Sequence, residues 1–213
     1  MIDDFLRFFI EIDNFNPLGR LLNNINRYTT ILDNLTHHLK DKKSIRYAFS
    51  TWDQSRTKEY EGRKLIGFSM EQIFDVVSDV ASYKNFLPFC KKSDVILKQP
   101  EFLKANLVIG FPPLKESYVS NVTMLYPQLV KAECTDGKLF NHLNTLWIFT
   151  PGLKNNPQSC VIDFSLSFEF KSWIHSHLSN LVFNEIVRQM ENAFIEEAHR
   201  RYGKPSIKTV RLE

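Results

Sequence analysis

The clearest pattern in the chain is CVIDFSLSFEF at 160–170, where Ile162, Phe164, Leu166, Phe168 and Phe170 alternate with Asp163, Ser165, Ser167 and Glu169. Successive side chains of a strand point to opposite faces, so this segment predicts a strand with one buried and one wet face. After Ser172 the period changes to about four. Leu178, Val182, Ile186, Met190, Phe194, Ala198 and Tyr202 recur at every fourth residue, and Leu181, Phe183 and Val187 widen the stripe. This predicts a long helix of roughly 28 residues, ~42 Å at 1.5 Å per residue. Gly203 and Pro205 stop it, glycine as the C′ residue and proline just beyond.

Upstream, EGRKLIGF reads as a strand. FSMEQIFDVVSDV then carries a helix start: Ser69 is the N-cap, Gln72 at N3 completes a capping box, and Phe68 can staple onto Ile73. Ile73, Phe74, Val76 and Val77 make the following helix amphipathic. ASYKNF suggests a second short helix, stopped by Pro88. Strands follow at SDVILKQ, EFLKANLVIGF, ESYVSNVTMLY, LVKAECT and NHLNTLWIF. FPPL is a loop, because proline cannot continue a central strand. Asp136–Gly137 signals a tight turn.

Residues 1–57 lack this clarity. They are rich in Asn and Thr, and Leu21, Leu22, Ile25, Ile31, Leu32 and Leu35 suit one or two short helices at most. The expected organisation is a weakly ordered leader at 1–57, a folded domain at 58–203 and a tail at 204–213. Consecutive short strands with segregated helices imply an α+β fold. An antiparallel sheet curved around the long helix buries that helix and leaves space between the two.

One stretch departs from ordinary loop chemistry. NFLPFCKKSDV at 85–95 places Phe86, Leu87 and Phe89 around Pro88, followed at once by Lys91 and Lys92. Proline forces a bend here, and exposed apolar bends mark a contact or a pocket rim. Phe111 and Pro112 in GFPPL repeat the theme.

Composition narrows the function. The chain has 213 residues, 43% of them hydrophobic, with 18 phenylalanines, enough for a sizeable core. A net charge of +3 without a basic run interleaved with aromatics argues against nucleic acid. Three widely spaced cysteines, Cys90, Cys134 and Cys160, suggest neither a disulfide framework nor a zinc site. No run of about 18 apolar residues predicts a spanning helix. The start, MIDDFLRFFIEIDNF, is apolar but acidic and gives no clean targeting signal.

Candidate chemistry is sparse. His175 and His177 are two apart and do not share a helix face. His37 and His38 lie in the leader, and His142 has no second ligand at useful spacing. Asp163 and Glu169 read as the wet face of a strand. Cys90 reads as a small buried thiol. The inward positions Leu166, Phe168, Val182 and Phe194 are expected to offer no polar catalytic group.

Taken together, YEGRKLIGFSMEQIFDVVSDVASYKNFLPFCKKSDVI, IGFPPLKESYVSNVT, LVKAECTDGKLFNHLNTLWIFTPG and DFSLSFEFKSWIHSHLSNLVFNEIVRQMENAF resemble the coenzyme Q-binding START-like family of mitochondria. The similarity runs from about Tyr60 to Tyr202. LPFCKKSDV, GFPP and CTDGKLFNHL carry it together. The resemblance implies a helix-grip fold with an apolar tunnel that binds a polyprenylated benzoquinone. It implies a lipid chaperone, not an enzyme, peripheral to the matrix side of the mitochondrial inner membrane. Such a protein would support respiration and quinone biosynthesis, with partners in those systems and no resident cofactor. Tunnel and gate are then expected at Phe86, Leu87, Pro88, Phe89, Phe111, Pro112, Leu166, Phe168, Val182, Phe183, Val187 and Phe194. Lys91 and Lys92 are expected to meet anionic headgroups. The alternatives are a polyketide cyclase or aromatase-like enzyme and a ribosome-associated START-like protein.

Overall fold

The computed structural model describes residues 57–111, 114–137, 140–171 and 180–212. Nearly all of the leader and Pro112 therefore lie outside the described residues. The elements are β1 (Thr57–Ile66), α1 (Met70–Ser78), a 3-10 turn (Val80–Ser82), α2 (Tyr83–Phe86), β2 (Cys90–Gln99), β3 (Phe102–Phe111) and β4 (Leu114–Leu125). After these come β5 (Leu129–Gly137), β6 (Phe140–Pro151), β7 (Cys160–Phe170), α3 (Asn180–Tyr202) and β8 (Val210–Leu212). The fold is α+β, one antiparallel sheet in the order β2-β3-β4-β5-β6-β7-β1-β8 with a long helix near the C-terminus.

The start of α1 forms as its sequence dictates. Gln72 N–H donates to Ser69 Oγ at 3.3 Å, and Ser69 N–H donates to Gln72 Oε1 at 3.0 Å. Two orphan amides of the first turn are thereby satisfied. Ile73, Phe74, Val76 and Val77 are buried, and Phe68 packs into the same core.

Along α3 the buried line is Phe183, Val187, Glu191, Phe194 and Ala198, while Ile186 and Met190 are only half-buried. A four-residue series advances 40° per step on a helix of 3.6 residues per turn, so it cannot hold one face. The line that stays buried steps by three and four, and it carries a glutamate that the apolar stripe did not anticipate.

The C-terminal tail belongs to the sheet. Val210–Leu212 pairs with Arg63–Leu65 of β1. On the way, Ser206 N–H donates to Gly67 O at 2.9 Å. A Cβ on Gly67 would stand 2.5 Å from the Ile207 backbone, so this crossing requires glycine.

The end of α3 is tied to α1 by charge. Arg200 and Arg201 both donate to the buried Glu197 carboxylate, and Arg201 also reaches Asp79 at 2.8 Å. The Arg200 hydrogen bond, reinforced by Arg201, outweighs burial and holds Glu197 down at about 2. A carboxyl depressed in the folded state stabilises above its unfolded value of 4.5, and that stabilisation disappears as pH falls toward 2. Replacing Glu197 with Gln should remove this acid-labile component. Thermal melts between pH 5 and pH 2.5 should then fall less steeply for Glu197→Gln than for the wild type.

Candidate functional site

The concave face of the sheet is read directly from register. Tyr60, Gly62 and Lys64 of β1 lie opposite Leu166, Phe164 and Ile162 of β7. Phe168, Leu166, Phe164 and Ile162 in turn face Leu143, Thr145, Trp147 and Phe149 of β6. These positions share one face because side chains alternate, and the buried line of α3 packs on it.

Aromatic rings fill much of the space between helix and sheet. Trp147 lies 4.2 Å from Phe164 and 4.9 Å from Phe194, centroid to centroid. Phe194 meets Tyr83 and Phe86 edge-on, at 5.3 and 5.4 Å. Toward the other end of α3, Phe183 touches Phe168 at 5.3 Å, Phe168 touches Phe140 at 5.6 Å, and Phe140 touches Tyr118 at 6.0 Å. Edge-to-face geometry of this kind is favourable beyond the area it buries.

Of the expected gate, the Phe86–Phe89 bend meets the end of β3, while Pro112 lies outside the described residues. Gly110 N–H donates to Phe89 O at 2.9 Å, joining the Phe86–Phe89 bend to the end of β3. Cys90 N–H donates to Leu87 O at 3.3 Å, closing a turn with Pro88 at its second position and Phe89 at its third. Phe89 has φ of +67°, which matches the type II pattern, where glycine is preferred. The bend is less exposed than its composition suggested. Leu87 is buried and Phe86 packs against the core, so both point inward and do not form an open greasy rim. Phe168, Phe183, Val187 and Phe194 are buried, and Leu166 is packed against them. Nothing is described for the side chains of Phe111 and Val182. Lys91 and Lys92 are exposed, and Lys92 is ion-paired with Asp94.

Polar groups enter the same interior from positions that the sequence pattern does not single out. Tyr60 Oη donates to Glu191 Oε2 at 2.7 Å, and Lys64 Nζ lies 3.2 Å from that same oxygen. Glu191 is 3% exposed and Lys64 8%. Burial, then the Glu191 hydrogen bond, push the Tyr60 phenol up to about 12, so it is a donor at neutral pH. The alternation in TKEYEGRKLI hid this cluster, because both faces of β1 carry polar residues.

His37, His38, His175 and His177 lie outside the described residues, and the remaining candidates are structural. His142 sits on the outer face, 3.1 Å from Ser167 Oγ and 3.8 Å from Glu169. Asp163 pairs with Arg63 at 3.3 Å on that face. Burial raises the Cys90 thiol and pushes Cys160 up to about 12, so neither is poised as a thiolate. Among the described residues no group of three or more His, Cys, Asp or Glu can hold a metal, and no helix is long and apolar enough to cross a membrane. An open groove of about 790 Å³ includes Glu61, Arg63 and Asp163, which project from the side of the sheet opposite α3, so it is distinct from the interior.

Known proteins share this architecture and much of this sequence. The chain is 49% identical over 175 residues to the Drosophila melanogaster protein named coenzyme Q-binding protein COQ10, mitochondrial, covering 81% of this chain and 72% of the fly protein. It is 47% identical over 153 residues to the Xenopus laevis homolog B of that protein, covering 72% of this chain and 63% of the frog protein. A Vibrio cholerae protein named ribosome association toxin RatA is 29% identical over 147 residues, 69% of this chain and 99% of the toxin. Among solved structures, a Streptomyces aromatase/cyclase superposes with a TM-score of 0.59 at 12% identity, covering 68% of this chain and 95% of the enzyme, which is a likeness of fold. Residues 66–195 match the family described as polyketide cyclase / dehydrase and lipid transport, and with the fly and frog similarities this places the chain in that family, within its COQ10 group.

Proposed function

We propose that the chain binds coenzyme Q between α3 and the concave face of the sheet, and acts as a mitochondrial lipid chaperone, not as an enzyme. The observation that carries this reading is the 49% identity, over 81% of the chain, to a protein named for coenzyme Q binding and for mitochondria. The interior suits such a ligand chemically. Each buried CH₂ is worth roughly 0.8 kcal/mol against water, so a polyprenyl tail needs an apolar host to leave the bilayer. Here the hosts are Trp147, Phe164, Phe168, Phe183 and Phe194. A tail entering among them exchanges ring–ring contacts for ring–tail contacts, which keeps both loading and release close to neutral.

The mouth, on this reading, is the end where the Phe86–Phe89 bend meets Gly110. Phe89 holds a left-handed backbone that costs a side chain about 1–2 kcal/mol relative to glycine. Keeping a phenylalanine there is consistent with a ring that serves the rim. Exposed Lys91 stands two residues further on, suited to an anionic headgroup. We place the protein peripherally on the matrix side of the inner membrane, in support of respiration and quinone synthesis. Coenzyme Q is then cargo, not a resident cofactor.

Mass spectrometry of an organic extract of the full-length protein, purified from mitochondria, should find coenzyme Q. Val187→Phe should fill part of the interior without adding charge, and bound quinone should fall severalfold while the far-UV circular dichroism is retained. Unchanged occupancy in a folded Val187→Phe protein would move the site elsewhere. Separately, Lys91→Ala should weaken association with anionic vesicles about fivefold at low ionic strength, on the order of 1 kcal/mol per basic residue. Lys92→Ala should do less, because Asp94 already partners that lysine. Flotation assays should lose the difference near 1 M salt.

A further inference from the structure

Resting on that reading, we propose that Tyr60, Lys64 and Glu191 form the recognition site for the ligand's head, an oxygen-bearing ring, while the aromatic interior takes the tail. Three observations converge on this cluster. Glu191 interrupts the buried line of α3 between the apolar Val187 and Phe194. Gly62 lies between Tyr60 and Lys64 on the inward face of β1, and a Cβ there would stand 3.0 Å from Tyr60 Oη and 3.1 Å from Glu191 Oε1. Phe164 lies opposite Gly62, with its ring 6.0 Å from that of Tyr60 and 4.2 Å from Trp147.

Each of these features works against stability taken alone. Burying a carboxylate and an ammonium costs several kcal/mol per ion, and an apolar pair of similar volume is often as good or better for folding. Glycine inside a strand weakens it and frequently marks close approach of another group. A clamp between α3 and β1 could be built from apolar residues at lower cost. What apolar residues cannot supply is a hydrogen-bond donor and acceptor inside an apolar interior.

The chemistry fits a quinone and its reduced form. An ammonium donates three hydrogen bonds and a carboxylate accepts several, so Lys64 and Glu191 can serve each other and a ligand oxygen together. A quinone carbonyl accepts from Lys64, and a hydroquinone hydroxyl donates to Glu191. Phe164, packed on Trp147 and standing 6.0 Å from Tyr60, sets an aromatic wall beside the polar groups. A hydrocarbon tail engages none of these groups, so the cluster discriminates by head and the interior by tail.

The test separates head from tail. Full-length protein is equilibrated with phosphatidylcholine vesicles carrying either a decyl-substituted methoxybenzoquinone or squalene, an isoprenoid with no ring oxygens, and the protein-bound fraction of each is weighed by mass spectrometry. Wild-type protein should take up both. Lys64→Met should lower quinone uptake about tenfold or more, the effect of losing one charge-assisted hydrogen bond, and leave squalene within about twofold. Tyr60→Phe should cause a smaller loss of the same kind. Lys64→Met with Glu191→Leu replaces the pair by apolar side chains, so it leaves no buried unpaired charge. It should show the same selective loss in a folded protein. An unchanged ratio of quinone to squalene in that double variant, or equal losses of both probes, would make the cluster a structural clamp and overturn the proposal. If wild-type protein takes up neither probe, the carrier reading itself fails, and the head site with it.

Discussion

Strand β1 pairs with β7 and not with β2, and the rest of the architecture depends on that choice. With the order β2-β3-β4-β5-β6-β7-β1-β8, the chain leaving β1 must cross the whole sheet before it can begin β2. The crossing is made by α1, the 3-10 turn and α2, so these helices pack against one end of the sheet. The long helix takes the remaining space on the concave face. Its buried side meets β1 at Tyr60 and Lys64, β6 at Trp147 and β7 at Phe168. An interior bounded by one helix and a curved sheet follows from a single pairing of strands.

That interior has two characters. Most of it is aromatic, made of rigid rings that contact one another edge-on and exchange partners at small cost. One side, where α3 meets β1, is polar and fixed by hydrogen bonds. A uniformly apolar interior would hold any long hydrocarbon equally well. A buried donor and acceptor restrict which molecules gain by entering, because an oxygen left unpaired in such a site costs more than a missing methyl group. The acid-sensitive tie between Glu197 and its arginines lies further along α3, so the helix is anchored independently of the ligand.

Much of this was legible in the amino-acid order, and the reasons for the exceptions are specific. The capping box at Ser69 is local chemistry, so it could be read from a few residues. The alternation in β7 was plain because one of its faces is dry and the other wet. β1 was opaque because Lys58, Tyr60 and Lys64 point inward, and a strand polar on both faces has no visible inside. The apolar stripe of α3 holds at Phe183, Val187, Phe194 and Ala198 and drifts off the buried face at Ile186 and Met190, and Glu191 escapes it because a charged residue carries no apolar signal. The bend at Phe86–Phe89 is unusual in composition, but that Leu87 turns into the core depends on partners distant in the chain. β8 has three residues, too few for any periodicity, and is a strand only because β1 offers it an edge. The proposed head site depends on contacts between residues far apart in the chain, Tyr60 and Lys64 with Glu191, which no local pattern encodes.

The crossing of the tail over Gly67 bears on the open edge of the sheet. A sheet edge presents unpaired amides and carbonyls that a second chain can recruit. Val210–Leu212 occupies that edge along Arg63–Leu65, held in place where Ser206 bonds to Gly67. Shortening the chain just after Gly203 would uncover this portion of β1 on the strand that also carries Tyr60 and Lys64. Self-association through that edge would then compete with folding, so the tail from Lys204 to Leu212 both completes the sheet and shortens the open edge of β1.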